Sequence, residues 1–228
     1  MLRRYRDFVS RDLQDELIVY AIAMRLPIGI RAIAILPAYC GEDLGQAQHW
    51  IDSLKQFGTV LADLTARMAH VATQQMLDAG VPHGIRSYWK SSFLEAFSDA
   101  AVDVFMDCAK SCPSRQTFAI LEHSHGAAAR VPCCATAFPR RKEGLALVIF
   151  GLWNKAEEDD ANIDRTRSFH AAMRPWSAGS VYVNSLSEDE SDRVREAYGE
   201  NFERLRAIKT KYDPQNRFRR NQNIPPQD

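Results

Sequence analysis

Residues 198–226 read YGENFERLRAIKTKYDPQNRFRRNQNIPP, a stretch that contains both a helix pattern and its stop signal. Apolar side chains recur there at the spacing of three and four that marks one face of a helix. Asp213-Pro214 is predicted to end this helix, because proline lacks the N–H that a helix interior needs. Ile224-Pro225-Pro226 predicts an extended tail, since prolines fix φ and restrict the residue before them. The predicted buried face comprises Val194, Tyr198, Leu205, Ile208 and Tyr212.

The long C-terminal helix is predicted to begin at Ser187. Glu190 follows three residues later, and a Ser with a Glu at that distance forms the capping box that satisfies the first backbone N–H groups of a helix. Immediately upstream, Val181-Tyr182-Val183-Asn184 is rich in β-branched and aromatic residues, which favours a short strand. The chain is therefore predicted to end in a strand, a long helix and an extended tail.

The preceding sequence alternates between strand and helix patterns. Two apolar runs flank Pro27-Ile28-Gly29, which predicts an antiparallel pair joined by a tight turn. Gly58 is the predicted C-terminal cap of the first helix. This mixture favours an α+β fold, with one antiparallel β-sheet and helices packed on one face, in a single domain spanning residues 1–228. The predicted strands are 16–26, 30–39, 116–122 and 145–153, and the predicted helices are 43–57, 98–111 and 156–173.

The charge composition argues against nucleic acid as a partner. The 228-residue chain has 29 Lys and Arg and 29 Asp and Glu, a formal net charge of +0, whereas nucleic-acid binding needs a strong basic excess. The basic residues within 204–220 form either a solvated helix face and tail or a surface for an anionic cofactor or partner. At 46% hydrophobic, the chain has enough apolar residues for one substantial core.

The N-terminal sequence MLRRYRDFVSRDLQDE lacks the apolar stretch that a secretory signal needs. No apolar run reaches about 18 residues without a charge, so no membrane span is expected. Five Cys in a chain without an export signal favour reduced thiols. We therefore expect a cytoplasmic protein.

Several segments together resemble one family. The tail carries YG-x-N, KYDP-x-N-x-F and NQNIPP within 198–226. YWKSSFL at 88–94, TAFP-x-R at 136–141 and YVN at 182–184 occur upstream in the same order. By these motifs the chain resembles the berberine bridge enzyme-like FAD-linked oxidoreductases over nearly its whole length, with about 180–226 as the family's C-terminal signature.

The resemblance implies that this chain is the C-terminal, substrate-binding half of such an enzyme. Family members carry an N-terminal flavin domain whose glycine-rich loop holds the FAD phosphates. The 11 glycines here are isolated from one another, and no such loop occurs. We therefore expect that the N-terminal FAD-binding domain is absent, as in a truncated chain. The chain alone is then expected to bind FAD weakly or not at all, and to need a flavin domain or chain as its partner.

The resemblance also implies where the chemistry occurs. In the family, the substrate lies between the sheet of this domain and the flavin ring, and the Tyr-Val-Asn strand meets the flavin. This implies a catalytic role for Tyr182 and a cofactor contact for Asn184, which project from the same face if the segment is a strand. Asn221 and Asn223 are further candidates for FAD binding, because an amide both donates and accepts hydrogen bonds. A buried tyrosine ring and an ordinary surface tail are the alternatives.

Three positions depart from the family. Plant-type members carry a polar or acidic residue on the strand before Trp153, whereas 145–150 reads LALVIF here. Ser185 stands where the family often has Tyr, and Arg140 stands at the His of Pro-His-Arg. The first departure removes a candidate base and leaves Tyr182 nearly alone as the group that could move a proton.

A metal site is not expected. His123 and His125 would point the same way on a strand, with Cys133 and Cys134 further along the chain. Adjacent cysteines point in opposite directions when extended, however, and no Cys-x-x-Cys is present. The sequence also contains no Gly-x-Ser-x-Gly, P-loop or His-Glu-x-x-His, so hydrolase, nucleotide-phosphate and zincin functions have no support.

Two functions of different classes remain. The first is the substrate-binding half of an FAD-dependent oxidoreductase, which oxidises a small alcohol, sugar or amine-type substrate and is inactive as the isolated chain. The alternative is a truncated remnant or a stand-alone binding protein without redox activity. An uncovered flavin-facing surface would also make a homodimer of the isolated chain possible.

Overall fold

The computed structural model describes residues 1–227, without the side chain of Glu188. At its centre is a five-stranded antiparallel sheet in the order β2-β1-β4-β5-β3. Helices pack on one face of this sheet, so the predicted α+β class is confirmed. The strands are β1 (Leu17–Arg25), β2 (Arg31–Tyr39), β3 (Arg86–Phe93), β4 (Phe118–Ser124) and β5 (Gly144–Trp153).

The helices are α1 (Leu2–Val9), α2 (Leu44–Lys55), α3 (His70–Gln74), α4 (Asp99–Lys110), α5 (Asp159–Met173), α6 (Val194–Tyr198) and α7 (Phe202–Tyr212). Two of them begin at side-chain caps. Asp43 accepts a backbone N–H of α2 at 3.0 Å, and the Ser98 hydroxyl accepts one of α4 at 3.3 Å. Gly58 does not cap α2 as predicted, since the C-cap is Gln56. Among residues 1–227, no helix is long and apolar enough to cross a membrane.

The predicted hairpin of β1 and β2 is confirmed. The strands pair from Leu17 opposite Tyr39 to Arg25 opposite Arg31. In the turn, Gly29 has a φ of 88°, a left-handed conformation that side chains other than glycine rarely adopt. The hairpin forms one end of the sheet, and β3 forms the opposite edge.

The main core lies between one face of the sheet and helices α1, α2, α4 and α5. α1 is not among the predicted helices, although Tyr5 and Phe8 are buried at helical spacing. The Tyr5 hydroxyl donates to the Val19 carbonyl oxygen at 3.0 Å and lies 3.2 Å from that of Leu121. The buried phenol therefore has a hydrogen-bond partner, and its ring ties α1 to the two central strands.

α5 approaches the sheet closely at Gly151 of β5. A Cβ atom at this position would lie 2.5 Å from Thr166 Oγ1 and 2.8 Å from the Tyr88 carbonyl oxygen. Side-chain carbons do not come so near to such atoms, so glycine allows the helix to pack here. α5 is thereby held against β5 and against the edge strand β3.

The C-terminal region is less regular than predicted. α7 and the extended tail are confirmed, but the helical path does not run unbroken from Ser187. The capping box is present, with the Ser187 N–H donating to Glu190 at 3.1 Å, yet Glu188–Arg193 is a 3₁₀ segment. Gly199, with a φ of 48°, then separates α6 from α7. A second cluster of buried apolar residues holds this region together: Val181, Leu186, Val194, Ala197 and Phe202.

The connection from α2 to β3 projects away from the core. Every residue from 58 to 84 is exposed. An ion pair of 2.7 Å between Lys55 and Asp63 joins the start of this segment to α2. Exposed apolar side chains along it are Val60, Leu61, Leu64, Met68, Val71, Met76, Leu77 and Val81.

A buried ion network fastens the segment 187–193 to the edge strand β3. The Lys90 ammonium lies 3.0 Å from an oxygen of Asp189 and 3.2 Å from one of Glu190. Arg193 lies 2.6 Å from the other Glu190 oxygen. Lys90 and Glu190 are both buried, and a charge in that position is costly unless it is paired. The two side chains therefore depend on each other.

Lys90→Met is expected to lower the free energy of unfolding by about 3 kcal/mol, measured by urea denaturation. This is the lower end of the range for breaking a buried pair, because Glu190 keeps Arg193. Lys110→Met is the matched control, since the Lys110 ammonium is exposed and pairs with an exposed Asp107. Its unfolding midpoint should stay close to that of the parent. Equal loss of unfolding free energy in the two variants would show that the buried Lys90 network stabilises the fold no more than an exposed ion pair does.

Candidate functional site

The second face of the sheet lies opposite the main core. Strand residues alternate between the two faces, so the neighbours of the core residues Ala21, Leu121 and Leu147 point away from the helices. We call this second surface the open face. Its residues are Tyr20 and Ile22 of β1, Phe118, Ile120 and Glu122 of β4, Ala146, Val148 and Phe150 of β5, and Trp89, Ser91 and Phe93 of β3.

Aromatic rings line the open face along its β3 side. Trp89, which is 38% exposed, meets the Phe150 ring edge to face with 5.6 Å between centroids. Phe138 comes from the loop between β4 and β5, and its ring lies 6.5 Å from Phe93 and 5.6 Å from Tyr182. Flat apolar rings of this kind suit a planar or ring-shaped ligand.

The structure places Tyr182 beside the edge strand, but not on a strand of its own. The Phe93 N–H donates to the Ser180 carbonyl at 3.1 Å, and the Ala178 N–H donates to the Phe93 carbonyl at 2.8 Å. This short pairing delivers the chain to Tyr182. The predicted strand there is wrong, because the backbone turns at once into a 3₁₀ segment, in which the Ser185 N–H donates to the Tyr182 carbonyl.

Tyr182 and Asn184 are nevertheless brought together. The Asn184 side-chain amide donates to the Tyr182 hydroxyl oxygen at 2.8 Å. The Tyr182 side chain is 42% exposed, so the alternative of a buried ring does not hold. The amide fixes the direction of the phenol and leaves its proton free to be donated to a ligand on the open face.

The two tail asparagines lie in a segment that is anchored to the second cluster. The Gln222 side chain donates to the Leu186 carbonyl at 3.2 Å, and Ile224 packs against the cluster. Asn221 has a φ of 56° and its carbonyl accepts the Asn223 N–H at 2.9 Å. The structure thus ties the tail to the chain segment that carries Tyr182, without a hydrogen bond from either asparagine side chain to Tyr182 among the described residues.

The polar groups of this region suit the ring of FAD better than its phosphates. The Asn223 side-chain oxygen is buried without a hydrogen-bond partner, and amides such as those of Asn184 and Asn223 match the donors and acceptors of a pyrimidine edge. A phosphate cradle needs successive inward-pointing N–H groups, but the glycines with positive φ in the described chain are isolated. The residues present therefore fit the ring end of FAD. Those glycines are Gly29, Gly84, Gly126, Gly144, Gly179 and Gly199.

Other residues of the C-terminal signature hold the fold. The buried Asn201 amide donates to the carbonyls of Cys133 and Thr136 at 2.8 and 3.0 Å, which fastens the loop between β4 and β5. Asp213 accepts two backbone N–H groups of the turn after α7, at 2.8 and 3.0 Å. With the Lys209 hydrogen bond as the largest cause, the pKa of the Asp213 carboxyl falls to about 2. These residues position the loop and the tail.

The sequence patterns did not reveal three polar residues on or beside the open face. Glu122 and Tyr20 lie on neighbouring strands, and burial raises the pKa of both side chains, with the Glu122 carboxylate as the second cause for Tyr20. Arg140 lies over the Phe93 ring at 4.9 Å, where burial lowers the pKa of its guanidinium. Alternation along β4 could have indicated that Glu122 shares a face with Ile120, but the sheet order was needed to identify that face.

The two histidines considered for a metal site stack on each other. Their ring centroids are 4.4 Å apart, and a ring nitrogen of His125 lies 2.6 Å from the Leu17 carbonyl oxygen. Burial lowers the pKa of His123 to about 4, with His125 as a second cause. Within the described part of the chain, no group of three or more His, Cys, Asp or Glu side chains is placed to hold a metal ion.

Comparison with known proteins finds similarity to one family. A family model described as "Berberine and berberine like" matches residues 181–225. An FAD-linked oxidoreductase of Dictyostelium discoideum is 26% identical over 220 residues, which cover 95% of this chain and 46% of that protein. The solved structure of berberine bridge enzyme-like 28 from Arabidopsis thaliana has a TM-score of 0.82 at 17% identity, covering 100% of this chain and 54% of that one. Berberine bridge enzyme from Eschscholzia californica has a TM-score of 0.80 at 18% identity, covering 99% and 52%.

The chain therefore has the sequence signature and the fold of the berberine bridge enzyme-like FAD-linked oxidoreductases, as its motifs indicate. It spans about half the length of these relatives. The two structural likenesses, at 17% and 18% identity, establish the fold alone.

The isolated chain is expected to self-associate through the open face. Large exposed apolar patches on a protein surface mark association sites, and Trp89 presents an exposed aromatic ring at the β3 side of this face. Sedimentation velocity should show a dimer or larger species whose fraction grows with concentration, and Trp89→Ser should reduce that fraction. Tyr212→Ser, which removes an exposed ring from α7, is the control and should not. A clean monomer at high concentration would contradict this expectation.

Proposed function

We propose that this chain is the substrate-binding half of an FAD-dependent oxidoreductase that oxidises a small alcohol, sugar or amine-type substrate. In this proposal a flavin domain, on the same or a separate polypeptide, covers the open face. The substrate is held between that domain and the aromatic rings. The observation that carries the proposal is the hydrogen-bonded pair of Tyr182 and Asn184 on an aromatic surface. The chain that carries this pair spans about half the length of an FAD-linked relative.

The chain's own residues would bind and orient the substrate. FAD, when bound by such a domain, supplies the acceptor for a hydride from the substrate carbon. Phe138 and Trp89 would exclude water and hold the apolar side of the substrate. The Tyr182 hydroxyl, directed by the Asn184 amide, would hydrogen-bond the substrate hydroxyl or amine and help its proton to leave. Asn223 and Asn184 are the candidates for contacts with the flavin ring.

The homodimer and the cytoplasmic location stay predictions. The structure supports a homodimer only through the exposed rings of the open face. The cytoplasmic location rests on the sequence. The non-redox alternative is a remnant or stand-alone binding protein. It is favoured if the experiments below show no flavin reduction with any substrate.

The purified chain is expected to be colourless and to bind added FAD weakly or not at all. The reason is that its isolated glycines form no cradle for the phosphates, whereas amide contacts to the ring alone give little affinity. Titration of FAD by isothermal calorimetry and fluorescence quenching measures this directly. A yellow protein with stoichiometric FAD would contradict it.

Joining the chain to the flavin domain of a close relative, by fusion or co-expression, should give substrate-dependent flavin reduction. Stopped-flow measurement with a panel of alcohols, sugars and amines tests it. Tyr182→Phe should slow the reduction by about 10²–10⁴-fold, the usual effect of losing a positioned acid–base group, while the flavin spectrum is retained.

Tyr212→Phe is the matched control for this substitution. Tyr212 is an exposed tyrosine at the end of α7, so the loss of its hydroxyl should leave the reduction rate unchanged. A rate within about threefold of the parent for Tyr182→Phe would remove Tyr182 from the proton path. No reduction with any substrate would favour the non-redox alternative.

A further inference from the structure

The open face carries one row of side chains that runs straight across four strands. Antiparallel register places Glu122 of β4 opposite Ala146 of β5, and Ala146 opposite Phe93 of β3. On the other side, Ala21 pairs with Leu121, so Tyr20 of β1 stands opposite Glu122. Directly opposed residues on one face have Cβ atoms about 4.5–5.5 Å apart. Glu122 therefore has Tyr20 on one side and the small Ala146 on the other.

Glu122 is a carboxylate without a counter-charge. In the described part of the chain it takes part in no ion pair, and no side chain or backbone N–H donates to it. Its neighbours on the open face, Ile120 and Val148, are apolar and buried. The titratable groups near it are Tyr20 on the open face and Tyr5 beneath the sheet, and the Glu122 carboxylate contributes to the raised pKa of both. Glu122 is partly buried, and placing an unpaired acid beside apolar side chains is unfavourable, so a structural role does not explain it.

The row has its smallest side chain, Ala146, beside Glu122. Ala146 separates Glu122 from Phe93, on the side where Phe138 and Tyr182 lie. Two strand spacings, about 10 Å, lie between Glu122 and Phe93. A substrate lying along the row over Ala146 would have a carboxylate at one end and the Tyr182 phenol beyond the other.

We propose that Glu122 is the catalytic base that removes the proton from the substrate's hydroxyl or amine group, with Tyr182 holding the same substrate from the Phe93 end of the row. This inference rests on the proposed function. The apolar stretch 145–150 of β5 offers no group that can accept a proton, which left Tyr182 as the candidate from the sequence. The acid stands one strand further along the sheet, directly opposite Ala146.

The step is balanced with FAD as the oxidant. The substrate's carbon–hydrogen bond breaks and its electron pair leaves with the hydrogen as hydride. The oxygen–hydrogen or nitrogen–hydrogen bond breaks and its proton goes to a carboxylate oxygen of Glu122. The substrate keeps a carbon–oxygen or carbon–nitrogen double bond. A carboxylate accepts a proton outright, whereas a neutral phenol must first lose its own. Burial makes Glu122 a stronger base than an exposed carboxylate.

The first test uses the chain joined to a relative's flavin domain. Glu122→Gln should slow flavin reduction by about 10²–10⁴-fold at saturating substrate. In the parent, the rate should rise with pH through one ionisation above the ordinary range of a glutamate, and this ionisation should be missing from Glu122→Gln. Because both residues hold one substrate, the double variant with Tyr182→Phe should lose less than the product of the single effects. Glu42→Gln, an exposed carboxylate on the loop before α2, is the control.

The second test needs no flavin. In the isolated chain, a carboxyl with a raised pKa is favoured protonated in the folded state, so its contribution to stability is full at low pH and is lost as pH rises through the folded pKa. Urea unfolding should show that Glu122→Gln is more resistant than the parent at pH 8 and loses this advantage at pH 4. Glu42→Gln should show no such pH-dependent difference.

The outcomes separate this inference from the proposed function. An active parent whose rate and pH profile are unchanged by Glu122→Gln overturns the role of Glu122 and leaves the proposed function standing. A parent whose flavin is not reduced by any substrate of the panel overturns both. Urea midpoints of Glu122→Gln that follow the parent at every pH show that the carboxyl is not held in apolar surroundings, and overturn the basis of the inference.

Discussion

The pairing of Lys90 with the two acids of the segment 187–193 is the interaction on which the position of the site depends. β3 is an edge strand, and the edge must be covered by the chain that follows α5. The ion network fixes one end of that covering segment, and the hydrogen bonds of Phe93 fix the other. Tyr182 lies between these two attachments. The backbone that carries Tyr182 is therefore held in part by charges on the opposite side of β3 from the ligand surface, and the Asn184 amide directs the phenol itself.

Local sequence signals predicted the parts of the fold whose causes are local. Pro27-Ile28-Gly29 produced a hairpin because its turn geometry needs only neighbouring residues, and Ser98 capped α4 for the same reason. The strand predicted around Tyr182 was wrong because β-propensity there was overridden by packing of Val181 on a separate cluster. The single long helix failed at Gly199, where the chain takes a positive φ that no periodicity reveals.

The sequence could predict only those residues of the candidate site that lie close together along the chain. The resemblance identified Tyr182 and Asn184, and the structure joins them by a hydrogen bond, although their roles stay predictions. Glu122 could not be identified because it is close to the other site residues only through strand order and register. Asn201 shows the opposite case, since a polar residue inside a strong motif turned out to fasten a loop. A motif tells which residues matter to the fold or the site, and the structure decides between the two.

The exposed segment 58–84 is a place where the chain could be cut without breaking the sheet. It contributes nothing to either buried cluster, and it connects strands at opposite ends of the sheet. A proteolytic nick there would produce a fragment with α1, β1, β2 and α2 and a second with the remaining strands. The pairing of β1 with β4, and the packing of Tyr5 beneath both, would still hold the two fragments in one folded particle. Continuity of the polypeptide and continuity of the sheet are thus separate properties of this fold.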